Sequence, residues 1–243
     1  MWNRGAAALK DVELAIIFGT DHAGGPGRLT PTRQNYATPL GTLPTDRDIV
    51  DGLADVLGPS EAFAEELHHI NEHSIELAAV WFHYAAGGRT VPVVPILCGS
   101  FHQFITGEAG PGQDRAIGAA VDYLREATKG KNTIVIAAGD LAHVGPAFGD
   151  PNALNAAAKA AIMDKDSASI EAICVGDADR FFEISRAEED QKKICGLPPI
   201  YMALRYLNGA ARGESMGYDQ CPADQQAGSI VSIVGALLWG RER

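Results

Sequence analysis

Long apolar runs, clustered basic residues and closely spaced cysteines are all missing from this sequence, and each absence removes a class of function. No stretch reaches the roughly 20 apolar residues that cross a bilayer as a helix. The N-terminal Met-Trp-Asn-Arg-Gly-Ala-Ala-Ala has no apolar core of the kind a signal peptide needs. The expected setting is therefore cytoplasmic, with no membrane partner. Lys and Arg number 20 against 31 Asp and Glu, a formal net charge of −11 with no basic run, so the electrostatic footprint of a nucleic-acid binder is lacking. Cys98, Cys174, Cys195 and Cys221 lie far apart without a C-x-x-C pair, which disfavours a zinc ribbon and a disulfide framework alike. Repeats and low-complexity linkers are absent too, so residues 1–243 are expected to form a single domain. What is present is apolar mass: 46% hydrophobic residues, enough to bury a full core.

The chain is organised around residues 12–25, a β-branched apolar run that stops abruptly in a loop carrying Asp21 and His22. That pattern predicts a buried strand delivering a polar group, with Asp21 as a partner for the ring. Residues 24–44 are rich in Gly, Pro and Thr, too irregular for helix or strand, and read as a long ordered loop. A helix capped by Thr45 follows, with Ile49, Leu53 and Leu57 on one face and Gly58-Pro59 as its stop. A second helix, capped by Asn71, turns Ile75, Ala78, Ala79 and Phe82 inward and places Glu72, His73 and Glu76 in its first turns before Gly87-Gly88. Val91 to Leu97 reads as a strand whose prolines suit an edge or a bulge, and its end carries Cys98-Gly99-Ser100-Phe101-His102. Next come a helix marked by Ile117, Val121 and Leu124 and a buried strand from Asn132 to Ala138, ending in Gly139-Asp140-Leu141-Ala142-His143. Helices are expected over 152–174 and 177–187, and another opens at Leu197-Pro198-Pro199 with Ile200, Leu204 and Leu207 inward. Ser229 to Leu238 is the last strand. Alternating strands and helices predict an α/β fold, a central mostly parallel or mixed sheet with helices on both faces.

Strand ends in such sheets hold ligands, and here they offer His22, Asp140 and His143, while a loop offers Cys195 and a helix start offers His73. Imidazole, thiolate and carboxylate are the ordinary metal-ligand set. Each has a plainer alternative. His22 is otherwise a loop histidine, and His73 a capping-turn histidine. If the prolines open a helix, the Cys195 sulfur sits near its positive end, which lowers a thiol pKa; otherwise it is a small buried hydrophobe, the preferred reading for Cys98 and Cys174. Asp140 is placed to orient His143 as a general base, the alternative being a capping carboxylate and a solvated histidine. His68, His69, His83 and His102 read as surface or core residues without a chemical role.

Gly19-Thr20-Asp21-His22, Asn71-Glu72-His73-Ser74-Ile75-Glu76, Val94-Pro95-Ile96-Leu97, Gly139-Asp140-Leu141-Ala142-His143 and Ile194-Cys195-Gly196, in that order, resemble the Memo family (AmmeMemoRadiSam system protein B-like). That family is similar in fold to the class III extradiol dioxygenases of the LigB type. The likeness runs from about Leu14 to the final strand, and Glu-His-Ser-Ile-Glu with Ile-Cys-Gly is specific in combination. It implies a metal site of histidines and one cysteine, with His22 and Cys195 on matching positions. By the same likeness Asp140 and His143 line the pocket, His143 corresponds to the acid/base histidine of the dioxygenases, and His73 sits beside the metal. It also implies an earlier strand ending in a His-Ala-Gly-Tyr-type motif that supplies a further histidine. The thirteen residues before Leu14 contain no histidine, so the expectation is a domain lacking that strand and its ligand. Its site is then completed by His73 or His143, or binds metal weakly or not at all.

The implied cofactor is a divalent metal, Fe(II) first, with Cu or Zn as alternatives, in a dioxygenase-like redox enzyme of small organic substrates. A thiolate where the dioxygenases carry a carboxylate is softer and oxidisable, which counts against simple ring cleavage. The alternative is a non-catalytic module holding a peptide or small ligand in the same pocket, with Arg28, Arg33 and Arg47 offered to an acidic group or simply solvated. A third reading, transfer or hydrolysis by Cys195 with His143, lacks any sign of an oxyanion hole. Small-molecule or peptide ligands and self-association as a homo-oligomer complete the expected partners.

Overall fold

In chain order the elements are β1 (Leu14–Thr20), β2 (Leu29–Pro31), β3 (Tyr36–Thr38), β4 (Gly41–Leu43), α1 (Arg47–Leu57), α2 (Pro59–Ala62), α3 (His73–Ala85), β5 (Val93–Cys98), α4 (His102–Thr106), α5 (Arg115–Ala127), β6 (Thr133–Ala138), β7 (His143–Val144), α6 (Ala156–Cys174), α7 (Ala178–Ala187), α8 (Leu197–Leu207), β8 (Ala211–Pro222) and β9 (Ile230–Gly240). The structure is a computed structural model and describes residue 5 and residues 9–240. The signal-peptide expectation falls largely on N-terminal residues outside that set. None of the helices among the described residues is long and apolar enough to cross a membrane.

The main sheet has the order β2-β5-β1-β6, with β1 parallel to β5 and β6 and β2 antiparallel at one edge. All seven residues of β1 are buried, because helices cover both sheet faces and a strand between two layers needs apolar side chains on each. Leu14, Ile16 and Phe18 pack with Ile49 and Leu53 of α1, Ile117 and Leu124 of α5 and Tyr201 of α8. Ala15 and Ile17 pack with Ile75, Ala79 and Phe82 of α3 on the other side. This is the expected α/β arrangement.

Several local expectations are corrected. The strand containing Val91 to Leu97 is interior, not an edge. Ala15 N–H bonds Pro92 O, whereas Val93 N–H bonds Pro44 O, so Pro95 directs its missing donor away from β1. On that side it falls between the Thr45–Val93 bridge and the short β2, where no ladder bond is needed. β6 is the sheet edge and only Ile136 in it is buried, although its apolar run reads as a buried strand. The long loop is partly ordered as β2 and the β3–β4 hairpin. Both early caps move by one residue: Asp46 and Glu72 accept from Ile49 N and Ser74 N, while Thr45 instead donates to Gln34 O. Strict alternation of strand and helix fails at the C-terminus, where β8 and β9 form a long hairpin joined by β7 in a separate antiparallel sheet.

Candidate metal and ligand site

Because β1, β5 and β6 run parallel, their carboxyl ends share one rim of the sheet. There the loop after β6 and the segment before α8 lie backbone against backbone. A Cβ on Gly196 would sit 2.5 Å from Asp140 O, and one on Gly139 would sit 2.5 Å from Gly196 Cα, so glycine is required at the crossing. Gly196 N–H donates to Asp140 O at 2.9 Å. Thr20 Oγ1 donates to Cys195 O at 2.8 Å, and the Thr20 carbonyl accepts from Ser74 Oγ at 2.8 Å, tying the end of β1 to both α3 and Cys195. The result is a cavity of about 190 Å³ lined by both His22 and Cys195. His73, Asp140 and His143 are not among its lining residues.

Glu72 organises the His22 side. Its carboxylate accepts the His22 N–H at 3.0 Å, His22 Nδ1 at 2.9 Å and Ser74 N–H at 3.0 Å, and lies 3.2 Å from His73 Nδ1. Since a carboxylate only accepts, Nδ1 of His22 carries the proton and Nε2 is left as the free donor atom. The His22 and His73 rings stack at 5.1 Å. Burial pushes the Glu72 carboxyl up, but the hydrogen bonds from His22 and Ser74, joined by the His22 charge whenever that ring is protonated, outweigh it and hold the group below its ordinary value. Asp21, expected to partner His22, turns away: it takes Ala23 N–H and, at 2.9 Å, His68 Nδ1, which holds the His68 ring above the usual imidazole range.

On the other side, ligand atoms of Asp140, His143 and Cys195 lie within 4.8 Å of one another, as do those of His22, Glu72 and His73. His143 donates Nδ1–H to Leu141 O at 3.1 Å, so a backbone carbonyl orients the ring where Asp140 was expected to. Asp140 N–H points at Cys195 Sγ, 3.4 Å away. α8 does open on its prolines just after Cys195, yet the thiol is not acidified. Burial, aided by the Asp140 and Glu72 charges and only partly offset by the Asp140 N–H, pushes it up to about 11.

Sequence reasoning missed Glu72, visible there only as a first-turn carboxylate, and His102, which lines the cavity. His102 follows the end of β5, and the strand-end rule that marked His22 would have found it. The remaining histidines are structural: His69 bridges Tyr36 OH and Thr30 O, and His83 bonds Thr38 Oγ1. The three arginines are engaged elsewhere, Arg28 with Glu61 and Glu65, Arg33 with Asp51 and the Phe63 ring, and Arg47 with Arg33 O.

An α/β sheet whose strand ends gather nitrogen, oxygen and sulfur donors around a small cavity defines a protein with a mixed-donor rim site. A family model described as Memo-like protein matches residues 6–237, and the chain belongs to the Memo family. Among curated relatives, a MEMO1 family protein of Methanosarcina acetivorans is 31% identical over 137 residues, 56% of this chain and 46% of its own length. Those of Methanopyrus kandleri and Methanosarcina barkeri are 28% and 26% identical over 236 and 231 residues, 94% of this chain in each case and 73% and 76% of theirs. The matched stretch thus spans about half the length of the first relative.

Proposed function

We propose that this protein holds a divalent transition metal with His22 and Cys195 and serves dioxygenase-like redox chemistry on a small organic substrate. The observation that carries the reading is that these two residues, distant in sequence, line one small cavity. The donors fit the ion: an imidazole with its tautomer set by Glu72, and a sulfur beside a backbone N–H. His73 on the one side and His143 with Asp140 on the other are the residues at hand to complete the set. Imidazole and carboxylate donors suit Fe(II); the thiol also admits Cu or Zn. When bound, such an ion supplies open positions at which dioxygen and a chelating substrate can meet.

The chain's own residues do the rest. Glu72, accepting from Nδ1, sets the tautomer in which Nε2 of His22 is the ligand atom and holds the ring in place. Cys195 must lose its proton to ligate, and with its thiol near 11 that proton is released on loading, so affinity rises with pH. His143, fixed through Nδ1, keeps its other nitrogen for moving a substrate proton. Transfer by a free Cys195 nucleophile is disfavoured by the same high thiol pKa. Anaerobic loading with Fe(II), elemental analysis, and an oxygen-uptake screen on catechols test the proposal. Bound iron with uptake on a diol supports it; no bound metal, or no uptake with any diol, removes it.

A further inference from the structure

We infer that the cavity selects a small aromatic or aliphatic ligand bearing a positively charged nitrogen, with the Asp190 carboxylate as its counter-ion. The inference takes the cavity as the substrate site, as proposed above, and names the class of molecule it accepts.

No Lys or Arg lines the cavity, while Asp190 does, so a phosphate or carboxylate would enter without a cation to meet it. The basic residues nearest Asp190 in sequence all face other carboxylates: Lys192 pairs with Asp166 and Glu188, Lys193 with Asp150, and Arg186 with Glu183. Among the described residues Asp190 has no ion-pair partner. One of its oxygens accepts Ile194 N–H at 3.2 Å, and among the described residues no hydrogen bond is made to the other. Of the other ionisable side chains at the wall, Asp21 is bonded to His68 and His22 to Glu72, while the exposed His102, like the already paired Lys192 and Lys193, acts on Asp190 only through space and favours its charged form.

The backbone adds an independent sign. Glu189, Asp190 and Lys193 have φ of 51°, 52° and 49°, three left-handed non-glycine residues just before Cys195. Such conformations persist only where the surroundings impose them, and they concentrate at ligand clamps. Burial also holds the Asp190 carboxyl above its ordinary value, a penalty on the charged form that a ligand cation would relieve. The wall also carries Phe101, Ile105, Ile194 and Leu197, apolar surface for the body of the ligand. At about 190 Å³ the space is smaller than the roughly 300–1,000 Å³ of pockets for drug-sized molecules, which confines the ligand to a single small ring or short chain.

The test is calorimetry on metal-free protein with three probes that share a phenol: tyramine, ethylphenol and hydroxyphenylpropionate. Tyramine is expected to bind about tenfold tighter than ethylphenol, the lower end of what one charge-assisted hydrogen bond supplies, with the carboxylate probe weakest. Asp190→Asn, which keeps an acceptor for Ile194 N–H and tolerates left-handed φ, should bring tyramine to within about twofold of ethylphenol. The wild-type ranking stands as evidence even if that variant fails to fold. Equal binding of the three probes, a preference for the carboxylate, no binding of tyramine, or an unchanged preference in a folded Asp190→Asn protein overturns the inference. Because no metal is added, failure of the metal proposal leaves this result unaffected, and failure here leaves metal loading to be judged separately.

Discussion

Glu72→Gln is the substitution that asks how the His22 side of the site is held. The carboxylate is 8% exposed and makes four contacts, to the His22 N–H, the His22 ring, Ser74 N–H and His73. Glutamine keeps one acceptor oxygen, but its NH₂ group cannot accept, so at least one donor is left facing another donor. An unmet buried donor costs about 1–3 kcal/mol, and the half-exposed His22 ring places this case near the lower end, about 1–2 kcal/mol of stability. Loss of a carboxylate that orients a ligating histidine weakens metal binding by about 10–100-fold, or ~1.4–2.7 kcal/mol. Thermal melts give the first number, and competition for Zn(II) or Fe(II) against a chromophoric chelator gives the second. The sign with pH follows from the depressed Glu72 pKa. Its contribution is present above the ordinary carboxyl pKa and is lost as pH falls through the lower folded value, so acid should destabilise the wild type by an increment that the glutamine variant lacks. A destabilised variant that binds metal within about twofold of wild type would refute the reasoning and reduce Glu72 to a helix cap.

Further tests address the other side of the site. With its thiol near 11, Cys195 is ionised to only about one part in a thousand at pH 8, so residue-resolved alkylation should be slow there and rise steeply toward pH 10; rapid modification at neutral pH would contradict the burial effect. Gly196→Ala would press a Cβ against Asp140 O and should cost about 1–3 kcal/mol while weakening metal binding, an outcome that unchanged melting and loading would rule out. Lys192→Met strands Asp166, which is fully buried, and should cost ~3–5 kcal/mol, a fall in Tm of roughly 10 °C. Lys129→Met, breaking only an exposed pair with Glu126, should change stability by less than about 1 kcal/mol, and similar melts for the two lysine variants would refute the distinction.

Much of the architecture was legible because burial on two faces leaves a simple trace: β1 is apolar throughout, and α3 turns Ile75, Ala79 and Phe82 to the core at helical spacing. The β8–β9 hairpin was half hidden, since β8, with Arg212, Glu214, Tyr218, Asp219 and Gln220, is too polar to announce a strand and is held by its ladder with β9. Pro95 misled because its place depends on where β2 ends, a tertiary fact. Of the site, strand ends pointed to His22 and His143, and Cys195 stood out beside its prolines. The partners did not: that Glu72 rather than Asp21 holds His22, and that Leu141 O rather than Asp140 holds His143, depends on side-chain directions fixed only after packing. The Cys195 thiol shows the same limit, for a helix end lowers its pKa while burial, invisible in sequence, raises it further.

The most direct measurement is metal content after anaerobic reconstitution, taken by elemental analysis on wild type, His22→Ala and Cys195→Ser with folding checked by circular dichroism. Shared ligation by the two residues predicts one ion per wild-type chain and loss of it in each folded variant. Full loading of either variant would contradict the claim that His22 and Cys195 hold the same ion.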